Sequence, residues 1–487
     1  MASASLSTKF SYHTPDDRLA QGRALREKLG RAEHGKWTPS KNRANPVTLL
    51  MDENKGRQSS LLPTKFDRMK ASPFGFFRGA APLMAADLAL MKSTGLRVQL
   101  CGDAHVKNLG AYAAPDGQLV FDLNDFDETI SGPWEWDVKR LAASIVLAGR
   151  DAKDRLSDCR KAVLEFSAAY RNALWLFSKM KALDLMKHPV LSGMGNEIEN
   201  ELVQRVLKKA ERATPDRNLA KLTLPAKNGW RRFHTATPMS PVTKETAEKV
   251  LASLAAYRET LGASRRLTLD AYRPYDVAFK IVGTGSVGTL DYVILLYGNG
   301  PADPLFLQVK QALPSCYAKY LPDALHYSNQ GQRIADGQYC LQTVTDPFVG
   351  WTSFDGKDFL VRQLADHKAS IDPAELSGEA LIEYGVLCGK MLARAHARTG
   401  DAAMIAGYCG NADKLDLAIA NFAVAYAEQT LLDYDLFCKR SNNELLKMVP
   451  DFVPAKKAKS ETEPKSRDTS TSSLSDRARR AARPRAN

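Results

Sequence analysis

The hydrophobic period of this chain changes twice along its length. From residue 137 to 186 apolar positions recur every three or four residues, the spacing of a helix face, and they do so again from 376 to 440. Between them, from about residue 271, "DVAFKIVG", "TLDYVILLYG" and "LFLQVKQA" are strand-type runs joined by Gly-rich or Pro-containing turns, which predicts an antiparallel meander. A helical stretch (317–341) and two further strand-like runs ending at "FLVRQLAD" complete this middle block. The expected fold class is therefore α+β, with a β-rich unit set between two helical regions.

The chemistry concentrates in "QLCGDAHVKNLGAYAAPDGQLVFDLNDFDETISGPWEWD", residues 99–137. "LRVQLCGD" and "QLVFDLND" read as strands with "APDG" as a turn between them, so the acids fall on loops. Buried carboxylates must be hydrogen-bonded, paired or bound to metal, and so many of them together ask for a cation. Asp103 and Asn108 stand five apart, the separation of the catalytic Asp and metal-binding Asn of the kinase H-R-D-x-x-x-x-N loop. Phosphoryl transfer needs a carboxylate to accept the proton of the attacking hydroxyl and a neutral oxygen ligand for Mg²⁺. It also needs a second carboxylate to join metal to phosphates, and Asp122, Asp125, Asp127 and Glu128 offer one. Strand alternation puts Asp125 and Asp127 on one face, with Asp125 as principal ligand and Asp127 as second. His105 is either a metal ligand or, as we favour, a loop-bracing hydrogen-bonder. Asp137 either serves the dipole of the helix it opens or receives hydrogen bonds from the catalytic loop.

"VGTGSVGTLDYVILL" holds a G-x-G-x-x-G at Gly283, Gly285 and Gly288. In a dinucleotide-binding unit a helix would follow. Here β-branched and aromatic residues follow, so the loop is either a plain Gly-rich hairpin or a hairpin whose backbone N–H groups, including those of Thr284 and Ser286, lie over phosphates. Lys310 ends the next apolar run, where the kinase pattern places its phosphate-binding Lys.

"GDAHVKN" followed by "DFDETISGPWEWDVKRLA" resembles the H-G-D-x-H-x-x-N, D-F-x-x-A, G-x-x-x-Y-D-L-A series of aminoglycoside and choline phosphotransferases. The resemblance implies Asp103 as base, Asn108 and Asp125 as metal ligands and Asp137 as a brace. "RMKASPFGFFRGAA", "CGDAHVKNLG", "FDLNDFDETISGPWEWDVKRLAAS", "VGTGSVGT", "LFLQVKQA" and "LARAHARTGD" also resemble, over nearly the whole chain, a bacterial family catalogued as domain of unknown function 2252 and thought to be kinase-like. Where that family has Glu after the Lys, this chain has Gln311, and "DGQYCLQ" replaces "EGQR"; the resemblance then implies Asp336 as the carboxylate partner of Lys310. The order is reversed relative to kinases, because residues 103–125 precede residues 283–310. A circular permutation reconciles it: a two-lobed, protein-kinase-like fold with the N-lobe equivalent in mid-chain.

The expected organisation is a basic N-terminal arm (1–60) that wraps the body and the first part of a helical catalytic lobe (61–187). An irregular basic insertion with a connecting helix (188–270) leads to a β-rich nucleotide-binding lobe (271–366). The second part of the helical lobe (367–453) and a basic tail (454–487) complete it. That tail holds ten Lys or Arg against four Asp or Glu, nearly half the net charge of +13. Its composition reads as disordered, a solubilising end or a contact for an acidic partner or nucleic acid. Seven dispersed cysteines, never CxxC, read as free buried thiols in a reducing compartment, and no apolar run suits a signal peptide or a membrane span. A cytoplasmic protein is expected. The functional expectation is an ATP- and Mg²⁺-dependent phosphotransferase acting on a hydroxyl-bearing small molecule or protein. The alternatives are a catalytically inactive nucleotide-binding scaffold or sensor, a nucleotidyl transferase, and a metallophosphatase. Arg78, and Arg231, Arg232 and His234 in the insertion, either bind an anionic acceptor or pair at the surface, the latter favoured.

Overall fold

The computed structural model describes residues 13–115, 117–188, 201–281, 285–364 and 369–452. The chain opens with α1 (Pro15–Lys28), α2 (Pro46–Asp52), α3 (Leu62–Lys70), α4 (Pro73–Gly79) and α5 (Ala81–Ala89). Proline lies in the first turn of each, where its missing N–H is no loss. This segment is fastened to distant helices: Arg43 bridges Asp87 and Asp433, and Arg26 and Arg31 donate to the carbonyls of Tyr408 and Cys409. The expected wrapping arm is thus a set of docked helices.

The acidic segment forms β1 (Arg97–Leu100), β2 (Leu109–Ala113), β3 (Leu119–Leu123) and β4 (Ile130–Pro133), followed by α6 (Trp134–Asp151), α7 (Leu156–Phe177) and α8 (Ala182–Lys187). β2 and β3 pair as a hairpin, whereas β1 pairs with β4. Residues expected to be irregular instead form α9 (Glu201–Glu211), α10 (Pro215–Leu222), a hairpin of β5 (Thr223–Pro225) and β6 (Arg231–Phe233), and β7 (Met239–Pro241). The pattern was hidden because α9 is strongly basic outside, while Leu202, Val203, Val206 and Ala210 recur at helical spacing on its buried face.

Next come α11 (Lys244–Ala252), α12 (Leu254–Glu259), α13 (Ala263–Asp270), β8 (Arg273–Lys280), β9 (Asp291–Tyr297), β10 (Pro304–Ala312), α14 (Gln330–Leu341), β11 (Gly350–Phe354) and β12 (Lys357–Gln363). Among the described residues the sheet order is β11-β12-β10-β9-β8-β7, antiparallel throughout. The β-rich unit therefore begins before residue 271. An open sheet has two faces to cover, and α11–α13 bring Val250, Tyr257 and Leu269 onto Val277, Ile294, Leu307 and Val361. On the opposite face Leu219, Leu222, Trp230 and Phe233 cover Val293, Leu295 and Phe306.

The chain then returns through β13 (Ala369–Ser370), which joins β2, to α15 (Glu379–Thr399), α16 (Ala402–Cys409), α17 (Lys414–Cys438) and α18 (Asn442–Met448). The main core is assembled from both halves of the sequence, since α6 and α7 pack with α15–α17. A Cβ on Gly389 would lie 2.3 Å from the Phe166 carbonyl, so glycine lets α15 and α7 meet backbone to backbone. The chain is α+β, and no helix among the described residues is long and apolar enough to cross a membrane. Cys340 and Cys438 are exposed, contrary to the expectation that all seven thiols are buried; both lie on helix faces turned outward.

Candidate functional site

The loop between β1 and β2 carries Asp103, His105 and Asn108, and it is fixed from beneath. Asp137, in the first turn of α6, accepts hydrogen bonds from the N–H groups of Cys101 (2.7 Å) and Gly102 (3.0 Å). His396 of α15 stands 3.4 Å from the same carboxylate, and its other ring nitrogen meets Tyr170 Oη at 2.8 Å. Of the two readings of Asp137, the geometry gives the one that braces the loop. Gly102 has φ +88°, and a Cβ there would lie 2.2 Å from the Glu128 carbonyl, so only glycine fits where the two acidic loops touch. His105 is buried, and its Nδ1 accepts from Lys107 N–H (3.2 Å), which puts the proton on Nε2, 3.8 Å from Asp103 Oδ2. Burial, then Arg78 and Arg140, push its pKa well down, so it is a neutral brace. Asn108 is buried behind the loop and donates to the Asp103 carbonyl; it is not on the cleft wall.

Arg140 was not anticipated. Its Nε donates to Asp103 Oδ1 (2.7 Å), its Nη2 reaches the Phe77 carbonyl (3.1 Å), and the guanidinium lies over the Phe77 ring. Burial alone would lower its pKa, but Asp103 more than offsets this and holds it raised. A charged residue immediately before the apolar run "LAASIVLAG" of α6 was the available signal.

β3 ends at Leu123, so Asp125 and Asp127 lie on the following loop and strand parity does not aim them. Asp122, still on the strand, is buried and paired with Arg394 of α15. Asp127 meets the β-rich unit directly: Lys310 Nζ and Ser286 Oγ (2.8 Å) both donate to its Oδ2. Burial would raise this carboxyl, yet Lys310 outweighs it and holds its pKa at about 2. Lys310, which burial would discharge, is kept raised by Asp127 and then Asp125. The expected Lys310–Asp336 pair is corrected accordingly. Asp336 is bonded by Tyr327 and Gln332, while α14 grips the acidic loop through Arg333, which donates to the carbonyls of Asp127 (2.9 Å) and Leu313 (2.8 Å). Gln311, at the position where Glu was expected, accepts from Leu290 N–H (3.0 Å). Glu128 is bonded by Cys316 N–H (2.7 Å), and burial pushes its carboxyl up.

These groups share one cleft of about 1,120 Å³, with Gly285, Ser286 and Lys310 on the sheet side and Arg78, Asp103, His105, Asp125 and Asp127 on the helical side. Gly283 and Thr284 lie outside the described residues. The rest of the glycine loop is held from the N-terminal segment: Arg57 Nη1 donates to the carbonyls of Gly285 (3.0 Å) and Val287 (2.9 Å), and Gln58 N–H to that of Gly288 (2.7 Å). Sheet alternation sends Lys280, Gln308, Lys310 and Arg362 to the cleft wall. Behind Gln308, buried Asp291 accepts its amide (2.7 Å), and burial pushes that carboxyl up to about 7. Arg231, Arg232 and His234 lie elsewhere, where Arg231 ties its hairpin to Thr223 and His234 contacts the Lys221 carbonyl.

Among the described residues no three His, Cys, Asp or Glu side chains gather as a metal cage. Mg²⁺ does not need one, since it commonly takes one or two carboxylates plus substrate phosphates and waters. Asp125 and Asp127 on a common wall, the latter held ionised, fit that donor set. Residues 57–440 match the family model described as "Uncharacterized protein conserved in bacteria (DUF2252)". A comparison with curated proteins finds no match, nor does one with solved structures.

Proposed function

The chain belongs to this bacterial family, DUF2252, and we propose that it is an ATP- and Mg²⁺-dependent phosphotransferase with a circularly permuted, two-lobed kinase-like arrangement. The observation that carries the reading is the convergence of Ser286 and Lys310 from the sheet on Asp127, in the cleft that also holds Asp103. A glycine loop, a buried Lys and two loop carboxylates are the parts that phosphoryl transfer requires, because catalysis there is mostly positioning and charge neutralisation.

In this reading Lys310 exchanges Asp127 for the nucleotide phosphates, and the backbone of the glycine loop lies over them. Asp125 and Asp127 would hold Mg²⁺, which neutralises charge on the phosphates. Asn108, which donates to the Asp103 carbonyl from behind the loop, positions the catalytic loop rather than binding the metal. Asp103 orients the acceptor hydroxyl and takes its proton on Oδ2, since Oδ1 is engaged by Arg140.

A thermal-shift series of ATP, GTP and AMP with and without Mg²⁺ tests this, followed by mass analysis for a transferred group. ATP with Mg²⁺ should raise the melting temperature, and Lys310→Ala should weaken binding by about 1.5–3 kcal/mol, the worth of a charge-assisted hydrogen bond. Absence of stabilisation by every nucleotide would defeat the reading. Stabilisation without transfer to any acceptor would favour a nucleotide-binding scaffold, and a transferred AMP would favour nucleotidyl transfer.

A further inference from the structure

Resting on that reading, we propose that the acceptor is itself anionic, a hydroxyl compound bearing a phosphate group, and that Arg78 and Lys107 hold that group beside Asp103. The cleft of about 1,120 Å³ exceeds the roughly 300–1,000 Å³ of a typical single-ligand site, so it has room beyond a nucleotide. Ten Lys or Arg and six Asp or Glu line it. ATP with its magnesium ion is a dianion, and the remaining surplus of positive charge matches a second dianion, which a phosphate monoester supplies.

Most of these cations have partners within the fold. Lys310 is on Asp127, Arg57 is on the glycine-loop carbonyls, Lys65 is on Asn54 and Lys319 is on Glu53. Arg78 and Lys107, like Lys280 across the cleft on the sheet, are half-buried without such a partner among the described residues, and of these only Arg78 and Lys107 stand on the helical side with Asp103. Arg78, at the end of α4, is half-buried, its Nε is shielded from solvent without a hydrogen-bond acceptor, and its guanidinium makes no ion pair among the described residues. The Lys107 ammonium is likewise half-buried and makes no side-chain hydrogen bond there. Beyond burial, which lowers both pKa values, Arg78 lies near enough to lower that of Lys107 further, and Asp103 and then Asp125 lie near enough to Arg78 to oppose its lowering, against Arg68. A Cβ on Gly285 would lie 3.9 Å from the Arg78 carbonyl, so this corner sits directly beneath the glycine loop. A guanidinium fork and a mobile ammonium are complementary to the several acceptor oxygens of a phosphate.

The step balances simply. The acceptor hydroxyl oxygen bonds to the terminal phosphorus of ATP as the bond from that phosphorus to the bridging oxygen breaks. The hydroxyl proton passes to Asp103 Oδ2, ADP leaves, and the acceptor carries away a second phosphate. Its original phosphate stays intact on Arg78 and Lys107 throughout.

The test uses calorimetry on the full chain saturated with Mg²⁺ and a non-hydrolysable ATP analogue. The titrants are glycerol against glycerol phosphate, ribose against ribose phosphate, and gluconate. The phosphorylated member of at least one pair should bind at least tenfold tighter than its neutral counterpart. Arg78→Met and Lys107→Met should each remove at least tenfold of that affinity while analogue binding, which reports a folded cleft, is kept. Arg205→Met, on the outer face of α9, should change neither. Equal affinity for neutral and phosphorylated members, or equal losses in all three variants, would overturn the proposal and leave the phosphotransferase reading standing. Tighter binding of gluconate than of both phosphate esters would overturn the phosphate assignment in favour of a carboxylate. Failure of the analogue itself to bind would defeat the underlying reading, and this inference with it.

Discussion

Arg140 occupies one oxygen of Asp103 and leaves the other to the cleft, so the carboxylate is oriented before any substrate arrives. Asp103→Asn keeps an acceptor for Arg140 but cannot take a proton. Single-turnover transfer should slow by about 10²–10⁴-fold while calorimetric ATP–Mg²⁺ affinity changes less than about twofold. Equal losses in both would place Asp103 among the metal ligands instead. Asp291 makes a pH prediction. Its folded pKa, near 7, lies above the ordinary value of 3.8, so the unfolded chain loses this proton first and the fold becomes less stable as pH rises from about 4 to 7. Asp291→Asn retains an acceptor for Gln308 and should flatten that slope, gaining on the order of 2–4 kcal/mol at pH 8 in urea unfolding. An unchanged slope would show that Asp291 is ionised inside the fold. Residues of this kind differ in how far the sequence exposes them. That Asp103, Asn108 and Asp137 meet at one loop was legible because their spacing lies within one short segment, whereas the turning of Asn108 away from the cleft was not. Arg140 on Asp103 and Lys310 on Asp127 span 37 and 183 residues, and side-chain pairs at such separations leave no local pattern.

At the level of elements, the β8–β9–β10 meander and the helices after residue 376 follow directly from hydrophobic period. The covering elements did not. β7 is three residues long, and α9 and α10 sit in a basic stretch where surface charge masks the apolar stripe. These two helices tie the units together, since α9 packs into the main core and α10 supplies Leu219 and Leu222 to the sheet. The glycine loop is likewise supported by a neighbour no motif announces. Arg57, whose Nη1 donates to two loop carbonyls, sits in a turn ahead of α3. Arg57→Ala should leave the fold intact but loosen the loop, weakening ATP–Mg²⁺ binding by about 1–3 kcal/mol in calorimetry and hastening protease cleavage near Ser286. Unaltered affinity would mean that the loop keeps its shape without this clamp.

Considered whole, the molecule has a sheet-based unit made from one continuous stretch and a helical core made from two separate ones. α6 and α7 come from residues 134–177, and their partners α15–α17 come from residues 379–438. The proposed permutation accounts for the arrangement, and the alternation of period along the sequence foreshadowed it. That arrangement also dictates the order in which the protein can take shape as it leaves the ribosome. The apolar faces of α6 and α7 emerge roughly 200 residues before the helices that cover them, a delay on the order of 10–40 s at about 5–20 residues per second. In that interval the meander, built from neighbours in sequence, can close on itself. A nascent chain arrested with residue 366 just outside the exit tunnel should therefore yield a protease-resistant fragment from residues 239–363 and none from 134–177. Protection of both would mean that the first helices find a temporary shelter. If they do not, synthesis of this protein depends on a chaperone that recognises the exposed α6–α7 surface and lets go only when α15 arrives.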